Sequence, residues 1–383
     1  MESLKELYKI GNGPSSSHTM GPKKAAERFA ERCHDADAYR VTLYGSLAAT
    51  GKGHLTDAAI LSVLASLAPT EIVWKPEVVL PFHPNGMLFE GLKGDEVVDS
   101  WTIYSVGGGA LANEASRLET PRSIYPLSTI SEIKEWCYHE GKTFWEYVSD
   151  CEGPEIWDYL DTVWETMCAT IQRGLNNDGV LPGGLKVARK ASTYWVKSKS
   201  YTDSLSSRAK IYAYALATSE ENASGGTVVT APTCGSSGVM PAVLYHLSTS
   251  RNFLRIRILR ALATAGLFGN VAKTNASISG AEVGCQGEVG VACAMACYIE
   301  TGKLPFDLAE AEQEIQEGPL AAYSGPSLAM MKLGVSLKQL VVASLFVAIF
   351  LPFGAAATAS PLDLLGGLVA YACKVLAVFL VAS

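Results

Sequence analysis

The chain has no pair of cysteines in a CxxC spacing, no block of basic residues and no apolar stretch near its start. Each absence removes a class of protein. Its 31 Lys+Arg against 38 Asp+Glu leave a net charge of -7, which argues against a nucleic-acid partner, because phosphate backbones are held by clustered positive charge. The opening MESLKELYKIGNG carries charges throughout and lacks the apolar core of a secretory signal, so a cytoplasmic location is expected. Disulfides are disfavoured there. The nine cysteines, an odd number without framework spacing, then read mainly as buried thiols, Cys33, Cys137, Cys151 and Cys168 among them.

Charge is scarce as well, at 18% of residues, whereas apolar residues make up 48%. A chain of 383 residues with that composition buries a large core and exceeds one typical domain. Between about residues 39 and 105, β-rich runs (YRVTLYG, EIVWKPEVVLPF, VVDSWTIYSV) alternate with one helical pattern, TDAAILSVLASLA, for which Thr56 is the expected N-cap. Beyond about residue 125 the apolar period becomes helical, as in EIWDYLDTVWETMCATIQRGL, SRAKIYAYALATS and RIRILRALATAGLF. The fold class expected is α+β, with an N-terminal α/β sandwich domain (1–150), an all-helical domain (151–335) and an atypical apolar tail (336–383). No charge occurs from Gln339 to Leu362. The run at 340–359 is long enough to contact or span a bilayer and equally suits a buried core helix; Pro352 and Gly354 would break a single span near its end.

Polar loops punctuate the first part. GNGPSSSHTMGP offers hydroxyls and backbone N–H groups unshielded by bulk, which suits a carboxylate, and the same residues would serve an ordinary Ser-rich N-cap turn. GSLAATGKGHLTD places His54 where a loop meets a helix, a position from which an imidazole titrates near neutrality or merely bonds to backbone. FHPNGM and YSVGGG repeat the theme with His83, Asn85 and Ser105. Loops at one edge of a scaffold commonly build a site together. In the second part, PTCGSSG leads into a helix and reads either as an anion site or as close helix packing.

The stretch GAEVGCQGEVGVACAMACYI carries three of the cysteines. Taken as one helix it would separate Cys285 from Cys297 by about 18 Å, too far for one iron–sulfur cube. Cys293 and Cys297, in ACAMAC, read as small buried thiols. Cys285 differs, with Gly284 and Gly287 opening space and Glu282, Gln286 and Glu288 adding polarity.

Taken together, GPSSSHTMGP, YGSLAATGKGHLTD, FHPNGM, YSVGGG, APTCGSSGVMPAVL and KTNASISGAEVGCQGEVGVACAMA resemble the signature segments of the bacterial iron–sulfur L-serine dehydratases, in order, from the start to about Cys297. The resemblance implies an α/β domain followed by an all-helical catalytic domain, a homodimer, and a place in amino-acid degradation and gluconeogenesis. It implies elimination of water from L-serine to give pyruvate and ammonia, with a [4Fe-4S] cluster whose open iron binds the β-hydroxyl as a Lewis acid. It makes His54 the base for the α-proton, with His18 and His83 as proton or hydrogen-bond partners. Ser15, Ser16, Ser17, Thr19, Asn85 and Ser105 would hold the carboxylate and hydroxyl, and Cys285 matches the first cluster ligand. The family's two further ligands, in a segment resembling CDPxxGLVQIPC followed by ERN, have no counterpart here; Cys373 is the only thiol after Cys297. A foreign replacement of the original end, a divergent ligand set drawn from Cys293, Cys297 or Cys373, and an inactive amino-acid-binding relative are the three accounts, the first favoured. An alternative lyase chemistry uses pyridoxal phosphate on Lys273 in VAKTNAS.

Overall fold

In AYRVTLY every second residue is large and apolar, and a strand turns such residues to one face. In the computed structural model this run is β2 (Ala38–Tyr44), with Tyr39, Val41 and Leu43 buried. The structure describes residues 1–94, 96–113, 123–230, 232–275, 325–351, 353–354 and 360–382. The chain divides into two compact units, Met1–Gly287 and Glu288–Ser383.

In the first unit β2 sits inside a five-stranded sheet of order β3-β2-β4-β5-β6, built with β3 (Thr70–Lys75), β4 (Gly86–Lys93), β5 (Glu96–Gly107) and β6 (Ala110–Ala112). β2 and β3 are parallel and every other pairing is antiparallel. Val41 lies opposite Phe89 and Leu43 opposite Met87. These side chains form one core with Ala25, Ala26 and Phe29 of α1 (Gly21–Arg32) and Ile60 and Leu64 of α3 (Thr56–Leu64). Between β2 and α3 the chain makes a helix of six residues, α2 (Gly45–Thr50).

The second part of this unit is helical in its bulk: α4 (Ile130–Glu140), α5 (Phe144–Glu152), α6 (Glu155–Asn176), α7 (Ala191–Ser198), α8 (Asp203–Ala223), α9 (Val239–Arg251) and α10 (Arg255–Asn275). α4 and α5 each start with a reciprocal capping box, Thr129 with Glu132 and Thr143 with Glu146. α6 buries Ile156, Leu160, Val163, Met167 and Ile171, a stripe at helical spacing. This part is not purely helical, as the sequence had led us to expect. It contains β7 (Thr227–Val229), which pairs antiparallel with β1 (Ile10–Asn12). The residues before β1 also belong to the helical core, where Leu4, Leu7 and Tyr8 pack with Leu262, Ala263 and Leu267 of α10. The segment that follows β1 is therefore anchored in the helical part before it enters the α/β part.

In the second unit, α11 (Gly325–Phe350) and α12 (Pro361–Ala382) share a small core of Ala343, Val347 and Val375. Leu333, Leu337, Leu340, Val341 and Leu345 of α11 are exposed. The stretch Gly325–Ala348 has a mean hydropathy of 1.5, long and apolar enough to cross a membrane by length and composition.

Candidate active site

The four polar loops of the α/β part meet. His18 lies in a single wide turn, Ser16–Met20, that runs directly into α1. Ser15 Oγ accepts from the His18 backbone N–H at 3.1 Å, and the Ser15 N–H donates to Thr19 Oγ1 at 3.2 Å. Thr19 Oγ1 in turn donates to the His54 carbonyl at 2.7 Å, which ties this loop to the one before α3. Ser105 Oγ, at the end of β5, donates to the Ser17 carbonyl at 2.7 Å. Asn85, entering β4, donates from Nδ2 to the Ser105 carbonyl at 3.1 Å and from its backbone N–H to His83 Nδ1 at 3.1 Å. These bonds link His83, Asn85, Ser105 and Ser17 in one chain and His18, Ser15, Thr19 and His54 in another, and the peptide bond between Ser17 and His18 joins the two.

Its centre is a pair of imidazoles. The rings of His18 and His54 stack with centroids 4.7 Å apart and planes inclined by 34°. His18 is 6% exposed, and burial, with the neighbouring His54 acting the same way, pulls it down to about 4, so that it is neutral at pH 7. His54 is half-buried, rather than the exposed loop residue expected, and its Nδ1 lies 3.0 Å from the Thr50 carbonyl. A carbonyl only accepts, so Nδ1 carries the hydrogen and the neutral ring keeps its lone pair on Nε2. The reverse holds for His83: its Nδ1 accepts from Asn85, so Nε2 carries the hydrogen. One site thus contains an imidazole lone pair and an imidazole N–H, each fixed by a backbone group.

Several hydroxyls expected to hold substrate have their hydrogens committed within the protein. Ser105 is fully buried and gives its proton to Ser17; Thr19 gives its own to His54. Both shape the loop. Ser16 and Ser17 are buried in the same turn, with no hydroxyl hydrogen bond among the described residues. Asn85 Oδ1 is buried and has no partner among the described residues. An orphaned buried acceptor costs about 1–3 kcal/mol, and here it suits a donor group on a bound molecule. Thr56 is not the N-cap expected. Leu55 takes that place in a left-handed conformation with φ 55°, while Thr56 turns inward and donates to the His18 carbonyl at 2.5 Å. Ser46 Oγ sits 3.2 Å from His18 Nε2. Ser46 and Thr50 have no recognisable motif role in GSLAATGKGHLTD, and the signal for them is their i, i+4 spacing right after a strand, which puts both on one face of a short helix.

PTCGSSG leads into α9 with its middle turned inward: Cys234 and Ser237 are 1% and 2% exposed. Cys234 Sγ lies 3.5 Å from Met20 Sδ, so this loop abuts the His18 turn. Gly238 approaches α8 so closely that an added Cβ would stand 2.8 Å from Ser219 Oγ, which identifies close packing as one use of its small residues. Lys273 spends its ammonium on Glu2 Oε2 at 2.5 Å and the Glu6 carbonyl at 3.1 Å, tying α10 to the first residues rather than presenting a free amine. Cys33 and Cys137 are buried, Cys151 and Cys168 partly so, and burial pushes all four thiols upward, Cys168 to about 12. Among the described residues no three His, Cys, Asp or Glu side chains are grouped to hold a metal. A cluster therefore does not fit the described residues alone. Cys285, Cys293 and Cys297 lie outside them.

Residues 90–302 match the family described as serine dehydratase alpha chain, and residues 3–73 the family described as serine dehydratase beta chain. Residues 262–383 match the NADH dehydrogenase family, so the two matches overlap at the end of the helical part. L-serine dehydratase 2 and L-serine dehydratase 1 of Escherichia coli (strain K12) are 38% and 39% identical to this chain over 353 residues, covering 77% of it and 77% of each relative. L-serine dehydratase of Streptomyces coelicolor is 38% identical over 349 residues, 77% of this chain and 76% of that one.

Proposed function

The chain belongs to the serine dehydratase family, and from that premise we propose that it eliminates water from L-serine to give pyruvate and ammonia. The observation that carries the reading is the close pair of imidazoles, with Nδ1 of His54 bonded to a carbonyl and its Nε2 left for a proton, at the junction of four polar loops. A weakly acidic α-proton needs a positioned base whose proton affinity lies near the working pH, and an imidazole lone pair provides one.

His54 Nε2 takes the proton from Cα. The electrons left behind form the Cα=Cβ bond as the C–O bond at Cβ breaks and the oxygen leaves with a proton as water. His83 Nε2–H is the protein's candidate donor to that oxygen. The product, aminoacrylate, tautomerises to an imine, and water hydrolyses the imine to pyruvate and ammonia. In this reading Asn85 Oδ1 accepts from the substrate ammonium and the hydroxyls of Ser15, Ser16 and Ser17 donate to its carboxylate; the unpartnered Asn85 Oδ1 among the described residues supports it.

The family resemblance also implies a [4Fe-4S] cluster, for which Cys285 is the residue in register. A different origin for the apolar end is supported by the NADH dehydrogenase match at 262–383, and it accounts for the missing downstream cysteines. Anaerobic reconstitution of the full chain with iron and sulfide, metal analysis and a pyruvate assay, run beside Cys285→Ala, test both statements. Pyruvate formation with bound iron that Cys285→Ala loses is expected. Serine binding without iron or pyruvate would instead establish an amino-acid-binding relative.

A further inference from the structure

α2 is only six residues long, and both of its ends touch the histidine pair. Ser46, in its first turn, places Oγ 3.2 Å from His18 Nε2; Thr50, at its last position, offers the carbonyl that fixes His54 Nδ1 at 3.0 Å. The two positions are bonded to each other, since Thr50 Oγ1 donates to the Ser46 carbonyl at 2.9 Å. The helix is pinned at its start. Gly45 N–H donates to the Val78 carbonyl at 2.9 Å and Ser46 N–H to the Pro84 carbonyl at 3.1 Å, so α2 is fastened to the segment that carries His83. Glycine is required at this start: φ is +49°, and a Cβ would stand 2.6 Å from the Pro84 carbonyl oxygen.

We propose that Ser46 is a positioning residue: from the first turn of α2 its hydroxyl holds the His18 ring in one orientation against His54, while the Thr50 carbonyl fixes the His54 tautomer, leaving Nε2 of His54 as the proton acceptor. The inference rests on the reading of His54 as the base and adds to it the device that aims the base. A ring stacked at 4.7 Å on a half-buried imidazole restricts how His54 can turn about its side-chain bonds. Releasing His18 therefore releases His54, although Ser46 itself touches neither the base nor the Cα proton. Burial and the neighbouring His54 pull His18 down and a hydrogen bond to the Ser46 backbone pushes it up; the backbone contact survives replacement of the side chain, so what the Ser46 hydroxyl contributes is orientation.

The test uses the full chain with nitrogen-15 in its histidines, of which there are six, read by long-range proton–nitrogen spectra at neutral pH. Single His→Gln variants supply the assignments. In the unsubstituted chain His18 is expected to show one sharp set of ring-nitrogen signals, those of a single orientation, and His54 a hydrogen on Nδ1. Ser46→Ala should shift or broaden the ring-nitrogen signals of His18 and lower kcat about tenfold, a part of the roughly 10²–10⁴-fold that a positioned base contributes, with KM changed less than about twofold. Ser46→Thr, which keeps the hydroxyl, should restore both. Unchanged histidine spectra in Ser46→Ala, or changed spectra with unchanged kcat, overturn the proposal. Circular dichroism and melting temperature check that each variant is folded; if Ser46→Ala unfolds, Ser46→Cys, with its weak S–H partner, takes its place. Because the spectra need no turnover, a chain that forms no pyruvate sinks the functional reading while the His18 signals still decide whether Ser46 orients that ring.

Discussion

Protonating His18 should weaken the fold, and the size of the effect follows from its burial. An imidazole with an ordinary value of 6.5 in the unfolded chain is held at about 4 in the folded one. Between these values the unfolded state binds more protons than the folded state, so stability falls as pH drops through the window and levels off below about 4. The gap corresponds to about 3 kcal/mol, a large part of the 5–15 kcal/mol typical of a whole domain. Urea unfolding read by tryptophan fluorescence at a series of pH values between about 7 and 4 measures it. All seven tryptophans precede residue 200 and so report on the first unit alone. Carboxylates begin to titrate near the lower end, and the informative quantity is the difference between the unsubstituted chain and His18→Gln. The variant is expected to start less stable at pH 7 and to lose about 3 kcal/mol less on acidification. Parallel pH profiles for the two chains would refute the claim that His18 is buried as a neutral ring.

Three further substitutions probe other parts of the argument. Gly21→Ala relieves a poor helix former and on propensity alone would stabilise α1 by about 1 kcal/mol, yet the added Cβ would sit 2.3 Å from Ser105 Oγ. A net loss of about 1–3 kcal/mol is therefore expected in thermal unfolding, and a gain would show that the Ser105 contact with the His18 turn yields freely. Arg189→Met removes the 2.9 Å partner of Glu221, whose side chain is 6% exposed; Arg173 and Asn177 remain bonded to it, so a loss of about 3 kcal/mol is expected in urea titration. Lys273→Met breaks only the tie to Glu2 and Glu6. Pyruvate formation should persist with a stability cost of about 1 kcal/mol, whereas abolished turnover together with borohydride labelling of the unsubstituted chain at Lys273 would favour pyridoxal phosphate.

What was legible in the sequence was what local periodicity encodes. α6, α8 and α10 stand where helical spacing placed them, because long amphipathic runs fix both type and burial. β4 was missed, since GMLFEGLK has glycines at two of its eight positions and opens inside a turn motif, though its Met87 and Phe89 are core residues. β1 and β7, three residues each, exist only by pairing with one another across the chain, and no window of local sequence contains that information. The same division runs through the site. His18, His54 and His83 were visible as polar side chains in small-residue loops. Their convergence, and the commitment of Ser105 and Thr19 to neighbouring carbonyls, depend on distances that composition does not carry. Thr56 illustrates the error most directly: a good capping residue in the right place turned inward because Leu55 adopted the left-handed conformation and the His18 carbonyl needed a donor.

The pairing of β1 with β7 also sets a timetable. Leu7 and Thr230, which are hydrogen-bonded beside that pairing, are 223 residues apart. At 5–20 residues per second, a ribosome needs roughly 10 to 45 s to deliver the second partner after the first. Throughout that wait β1 carries an unpaired strand edge, while the five-stranded sheet, whose contacts are nearer in sequence, is already able to assemble. The turn at Ser16–Met20 is thus tethered at its α1 side long before its β1 side, which closes only when synthesis is past the midpoint of the chain.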